Sequence, residues 1–151
     1  MTSDGTTAYV YDAEGRQSSA AGVNYTYDGD GQRVEKSNGM LYWYGVGGEV
    51  LSETDLNGNN GTDYVYFGGE RLARVTSSAV YYYFEDHLET TKINVQAGQN
   101  SACYDADFDP YGGEHTVTST CAYHYKFTGK ERDSETGNDT NLNFLIVRIF
   151  S

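Results

Sequence analysis

The sequence predicts an all-β fold of consecutive antiparallel hairpins, a solenoid-like sheet with no substantial helix. Three observations carry that expectation: a tyrosine phrase that recurs along the chain, Gly- and Asp-rich turn signals between its copies, and no stretch of helical period. Composition agrees, with 15 Tyr and 18 Gly among 151 residues and a single Pro. Tyr favours the half-buried, pleated surface of a strand, and Gly the tight turn.

Taken in order, the phrase appears as Tyr9-Val10-Tyr11-Asp12, Tyr25-Thr26-Tyr27-Asp28, Tyr42-Trp43-Tyr44-Gly45, Tyr64-Val65-Tyr66-Phe67 and Tyr81-Tyr82-Tyr83-Phe84. It returns in degraded form at Tyr104-Asp105-Ala106-Asp107-Phe108 and Tyr125-Lys126-Phe127. Leading tyrosines fall roughly 16 to 23 residues apart, room for two short strands and two turns. Side chains two apart share one face of a strand, so Tyr25 with Tyr27, Tyr42 with Tyr44, Tyr64 with Tyr66 and Tyr81 with Tyr83 form aromatic pairs on one side. Turn signals follow at Ala13-Glu14-Gly15, Gly29-Asp30-Gly31, Asn38-Gly39, Gly47-Gly48, Asn57-Gly58 and Gly68-Gly69. A single hairpin is marginal in water, so stacked neighbours are expected to bury the tyrosines as packing rungs.

Charge narrows the function. Lys+Arg number 10 against Asp+Glu 22, a net charge of −12. That balance argues against a nucleic-acid partner, which needs clustered cations. No apolar run reaches the length of a membrane span, so membrane insertion is not expected. The N-terminus shows no basic region followed by an apolar stretch, so no signal peptide is read there.

Several segments resemble those of a known family. Tyr25-Thr26-Tyr27-Asp28-Gly29-Asp30-Gly31-Gln32-Arg33-Val34 resembles the YD repeat of the rearrangement-hotspot (Rhs) and teneurin-like proteins. The run from Tyr81 to Lys92 resembles the family's tyrosine-rich DHLGSTR element, and Phe108-Asp109-Pro110-Tyr111-Gly112-Gly113-Glu114 its DPFGE turn. Tyr125 to Gly137 resembles its FTGKERDxETG signature. The resemblance implies ribbons of hairpins that wind into hollow shells around a toxin or serve cell-surface contact, with repeats that are not themselves catalytic. After the signature the chain departs from the family's aromatic strand, and the paired Asp-Pro-x-Gly motifs of its self-cleaving protease are missing. Asp109-Pro110-Tyr111-Gly112 has the letters of one but reads as a turn.

The expected organisation is a hairpin domain over residues 1–137 and a divergent apolar strand over 138–151. In that strand Phe144, Ile146 and Phe150 alternate with Val147 and Ile149, leaving both faces apolar and in need of cover. Either it completes its own sheet or it adds to a second copy through exposed sheet edges. The expected function is accordingly non-enzymatic: a structural, self-assembling subunit of an extracellular or cell-surface fibre, its partners further copies of itself. The alternatives are a surface module that binds glycans or a receptor through exposed Tyr and Trp43, and a terminal fragment of a toxin-enclosing shell.

No catalytic or cofactor-binding residues are expected. His87, His115 and His124 lie in no recognisable nucleophile context, and Asp86-His87 reads as hydrogen bonding between strands. Asp55, Asn57, Asn59 and Asp63 place oxygen ligands at calcium-loop positions, but the closing bidentate Glu is missing, and an Asn/Gly hairpin loop explains the segment as well. Cys103 and Cys121 bracket a turn-rich segment and read either as a disulfide or as two small buried thiols.

Overall fold

The computed structural model describes Ser3, residues 5–140 and, for the backbone alone, Leu145–Ile146. Twelve strands form one antiparallel sheet in strict chain order. They are β1 (Tyr9–Tyr11), β2 (Gln17–Ala20), β3 (Val23–Tyr27), β4 (Arg33–Lys36), β5 (Met40–Tyr44), β6 (Val50–Thr54), β7 (Thr62–Phe67), β8 (Glu70–Val75), β9 (Val80–Glu85), β10 (Thr91–Gln96), β11 (Ala102–Phe108) and β12 (Glu114–Ser119). A strap of irregular chain follows, with a 3₁₀ turn at Phe127–Gly129, and ends in a small hairpin of β13 (Asp139–Thr140) and β14 (Leu145–Ile146). The all-β, consecutive-hairpin fold is the one the sequence predicts.

One turn closes most of the hairpins. At Asp12, Asp28, Asp55 and Asp86 the backbone N–H bonds the carbonyl four residues on, and the carbonyl accepts from the residue three on. The carboxylate meanwhile accepts the amides two and four residues ahead. Asp109 closes its backbone the same way, so Asp-Pro-Tyr-Gly is a turn, and Gly45 stands in the Asp's place after Tyr44. The fourth turn residue adopts the left-handed region, with φ of 80° at Gly15 and 82° at Gly31, which suits glycine because no Cβ resists it. The hairpins closed at Asp12, Asp28, Gly45, Asp86 and Asp109 also carry a register shift, as between Thr26 and Tyr27, and so does β7–β8, whereas β6–β7, closed at Asp55, pairs without one.

The first tyrosine of each phrase is buried and the next residue points away. Tyr9, Tyr25, Tyr42, Tyr64, Tyr83 and Tyr104 are 0–6% exposed, whereas Val10, Trp43 and Phe84 are more than half exposed. Two expectations need correction. In the fifth unit Tyr83, not Tyr81, occupies the buried leading position, because Asp86 sets the turn; Tyr81 is only half-buried. Tyr125-Lys126-Phe127 is not a further strand of the sheet but part of the strap, bridging Tyr125 to Glu131.

Apolar burial comes mainly from tyrosine: the buried hydrophobic residues are Tyr, Ala and Val, with no Leu, Ile or Phe among those described. Tyr9, Ala20, Val23 and Tyr25 form one cluster, with Tyr11 and Tyr27 against it. A core built from tyrosines brings hydroxyls that need partners. Those partners define the site.

Candidate functional site

The strap leaves β12 and returns across the tyrosine face of the sheet. Its start is tied to β11 by a disulfide between Cys103 and Cys121, whose Cα atoms lie 5.4 Å apart. Tyr123 then settles between Tyr83 and Tyr104, with ring centroids 5.2 and 5.4 Å away, and shares a hydrogen bond with the Thr91 hydroxyl. Next come His124 and Tyr125 above β6 and β7. His124 Nε2 lies 2.9 Å from Glu53 Oε1, the Tyr125 hydroxyl donates to that oxygen, and the Tyr64 hydroxyl donates to Glu53 Oε2 at 2.8 Å.

Further along, the strap's acids meet the sheet's cations. Arg33 donates to Glu131 at 2.7 Å and, through both terminal nitrogens, to Asp133 at 2.9 and 3.0 Å. Lys36 reaches Asp133 at 3.0 Å and Glu135 at 2.9 Å. Tyrosine hydroxyls complete the set: Tyr42 donates to Glu131 at 2.8 Å and Tyr25 to Glu135 at 2.7 Å, while Asn138 donates to the Tyr9 hydroxyl at 3.0 Å. The contacts thus run from β11 to β1. On the far side Glu114 of β12 accepts from Lys126 at 2.8 and 2.9 Å and from Arg132, and Arg132 also donates to Asp139.

Electrostatics follow the pairing. Burial alone would raise the Asp133 carboxyl, but Arg33 and Lys36 outweigh it and hold the group below the usual carboxylate range. Burial would likewise raise Glu53; His124, Tyr125 and Tyr64 reverse the sign. For His124 burial disfavours the charged ring, and Glu53 more than compensates, so its pKa rises above the ordinary value of 6.5. Every buried charge in this group is both paired and hydrogen-bonded, the condition under which burying it is tolerable.

The expected rungs are therefore buried, by one another in the Tyr9–Tyr25 cluster and elsewhere by cations and the strap. Arg33 lies over both Tyr25 and Tyr42, at 5.0 and 5.6 Å from the ring centroids, and Tyr64 meets Tyr125 of the strap edge-on at 5.4 Å. Between the tyrosine strands stand polar ones, contributing Arg33, Glu53, Arg74 and Asn94, all buried. Tyr27, Tyr44 and Tyr66 are half-buried and donate to the carbonyls of Gln17, Arg33 and Val50.

The other sequence-derived candidates are placed as follows. Asp55, Asn57 and Asn59 share one exposed turn in which the Asp55 carboxylate accepts from the Asn57 and Asn59 amides and from Asn60 Nδ2; Asp63 lies beyond it on β7. No group of three His, Cys, Asp or Glu suited to a metal occurs among the described residues. His87 is exposed beside Asp86 in a turn, and Trp43 is 54% exposed on the opposite face of the sheet. Asn138, Asp139 and Thr140, assigned from sequence to the tail, pack with the strap. The Ile146 backbone pairs with Asp139 within the chain. Phe144, Val147, Ile149 and Phe150 lie outside the described residues. Sequence reading missed Arg33, Lys36, Glu53, Glu131, Asp133 and Glu135 as a set; the only signal was the density of acids in the Lys130–Glu135 stretch.

Compared by sequence with family models and with curated proteins, the chain matches none. Solved structures do match. The TcdB2–TccC3 crystal structure superposes with a TM-score of 0.68 at 12% identity, over 92% of this chain and 8% of that one. The fold is Rhs-repeat-like. A Photorhabdus luminescens Tc holotoxin pore superposes at 0.64 with 15% identity, over 91% of this chain, and TcdB2–TccC3 without its hypervariable C-terminal region at 0.64 with 13%, over 89%. This chain spans about 8% of the length of each. At such identities the likeness is one of fold.

Proposed function

We propose that this chain is a wall segment of an Rhs-type hairpin shell, braced by its own strap, with a structural and non-catalytic role. The observation that carries the reading is the strap itself, a signature-bearing segment that is held to β4 and β12 by buried ion pairs, to β1, β3 and β5 by tyrosine hydroxyls, and to β11 by the disulfide. The fold likeness to TcdB2–TccC3 supports it. The family resemblance supplies the idea of a shell. A fibre subunit built by strand addition has less behind it, since Leu145–Ile146 pairs with Asp139–Thr140 of the same chain. The Cys103–Cys121 disulfide supports an oxidising compartment, in keeping with a surface or extracellular location.

Light scattering and negative-stain microscopy on the purified chain test the reading. Particles of discrete size are expected, with a zero-length carbodiimide crosslink joining Lys36 to Glu135 inside one chain. Regular filaments, or that crosslink found only between chains, would restore the fibre.

A further inference from the structure

At the turn end of the hairpins, between the half-buried tyrosines and the strap, lies a partly open cavity of 260 Å³. Tyr27, Tyr44 and Tyr66 line it, and the hydrogen bonds of their hydroxyls to backbone carbonyls fix the rings in place. Tyr125 of the strap lines it from the other side.

Three arginines reach this cavity. Arg16 is held by Asp12 and Glu14, and Arg33 by Glu131 and Asp133. Arg71 differs. Its Nε donates to the Tyr66 hydroxyl at 3.2 Å and its guanidinium sits 3.9 Å from the Tyr125 ring centroid. Among the described residues no carboxylate lies within ion-pair distance of Arg71, and neither of its terminal nitrogens has a hydrogen-bond acceptor. Those nitrogens are not sealed off, because the buried unpartnered atoms include Arg74 Nε but none from Arg71. Lys130, also in the lining, has no carboxylate partner among the described residues either.

Acids outnumber bases by 22 to 10 in this chain, so two unpaired cations at one cavity call for an explanation. Glu49 and Glu89 are the lining carboxylates without an ion pair, and neither reaches these cations. Glu49 is folded back onto Gly45 and Gly47, and Glu89, exposed in its turn, lays its carboxylate against Gly129 without forming an ion pair with Arg71 or Lys130. A guanidinium stacked on an aromatic ring, its forked N–H groups free, is the arrangement that receives a carboxylate or phosphate with two parallel hydrogen bonds. Tyrosine walls add a surface against which a flat body packs.

We infer that this cavity is a binding site for a small oxyanion, a carboxylate or phosphate group, received by Arg71 with Lys130 as the second cation. Calorimetric titration of the full chain with benzoate, inorganic phosphate and benzamide tests it. Benzoate carries the oxyanion on a ring, phosphate presents it bare, and benzamide is the neutral counterpart of benzoate. Binding of either anion at one site per chain, weakened by added NaCl, is expected, with benzamide silent. Arg71→Gln should weaken binding about tenfold or more, and Lys130→Gln by a smaller factor. Circular dichroism checks that Arg71→Gln folds; if it does not, Lys130→Gln decides alone. Binding of neither anion, benzamide binding as well as benzoate, or affinities unchanged in the folded variants would overturn the inference.

Discussion

Glu53 is 3% exposed and accepts from three side chains, two of them on the strap. Removing one member of a buried, hydrogen-bonded charge pair costs about 3–5 kcal/mol, because the partner is left uncompensated. Glu53→Ala should therefore destabilise the protein by that amount in a urea titration. His124 gives the same cluster a pH dependence. Its folded pKa is raised, so its contribution is complete below its ordinary value of 6.5 and fades as pH rises through the folded value. Glu53 and Asp133 are lowered, so theirs is present above their ordinary values of 4.5 and 3.8 and fades on acidification. Stability is expected to peak between those ranges. The urea midpoint should fall from pH 6.5 towards pH 9, and His124→Gln should flatten that fall. Glu89 sits at the left-handed turn position that Gly15 and Gly31 occupy elsewhere, with φ of 61°. A residue with a Cβ pays roughly 1–2 kcal/mol there, so Glu89→Gly should raise the urea midpoint.

The hairpins and the strap differ in how far they can be read from sequence. The hairpins announce themselves, because the Tyr-x-Tyr phrase, the Asp turn and the Gly at the positive-φ position are all local. The fifth unit misleads because three tyrosines run together from Tyr81 to Tyr83, and only the turn at Asp86 sets which one faces inward. The strap is opaque for another reason. Its partners lie about a hundred positions away, as Arg33 and Asp133 do, and period-two patterning fails where a bulge interrupts the strand. On β4 both Arg33 and Lys36 are buried with two half-buried residues between them, so no alternation marks them as inward. Sequence therefore shows a tyrosine ladder but not the cations and acids threaded through it. The disulfide cannot be read from sequence for the same lack of register. Closing a loop of 18 residues, it should contribute about 3 kcal/mol. Cys103→Ser with Cys121→Ser should lower the melting temperature and speed amide exchange over residues 122–126 more than over β3–β8.

For the molecule as a whole, the sheet is open at β1 and β12 and the strap is its cover. A chain ending at Cys121 would leave Arg33, Lys36 and Glu53 without their strap partners and the tyrosine rows wet. It is expected to lose cooperative unfolding and to bind a hydrophobic dye, whereas the full chain does neither. The strict chain order of the strands has a consequence of its own. As the polypeptide emerges from the ribosome, each new strand finds its neighbour already made, so the sheet can lengthen at the pace of synthesis. The strap is translated after all twelve strands, yet its targets include the earliest, Tyr9 and Tyr25. Until translation passes Asn138, the aromatic face lacks this cover, so its closure follows the making of the twelve strands.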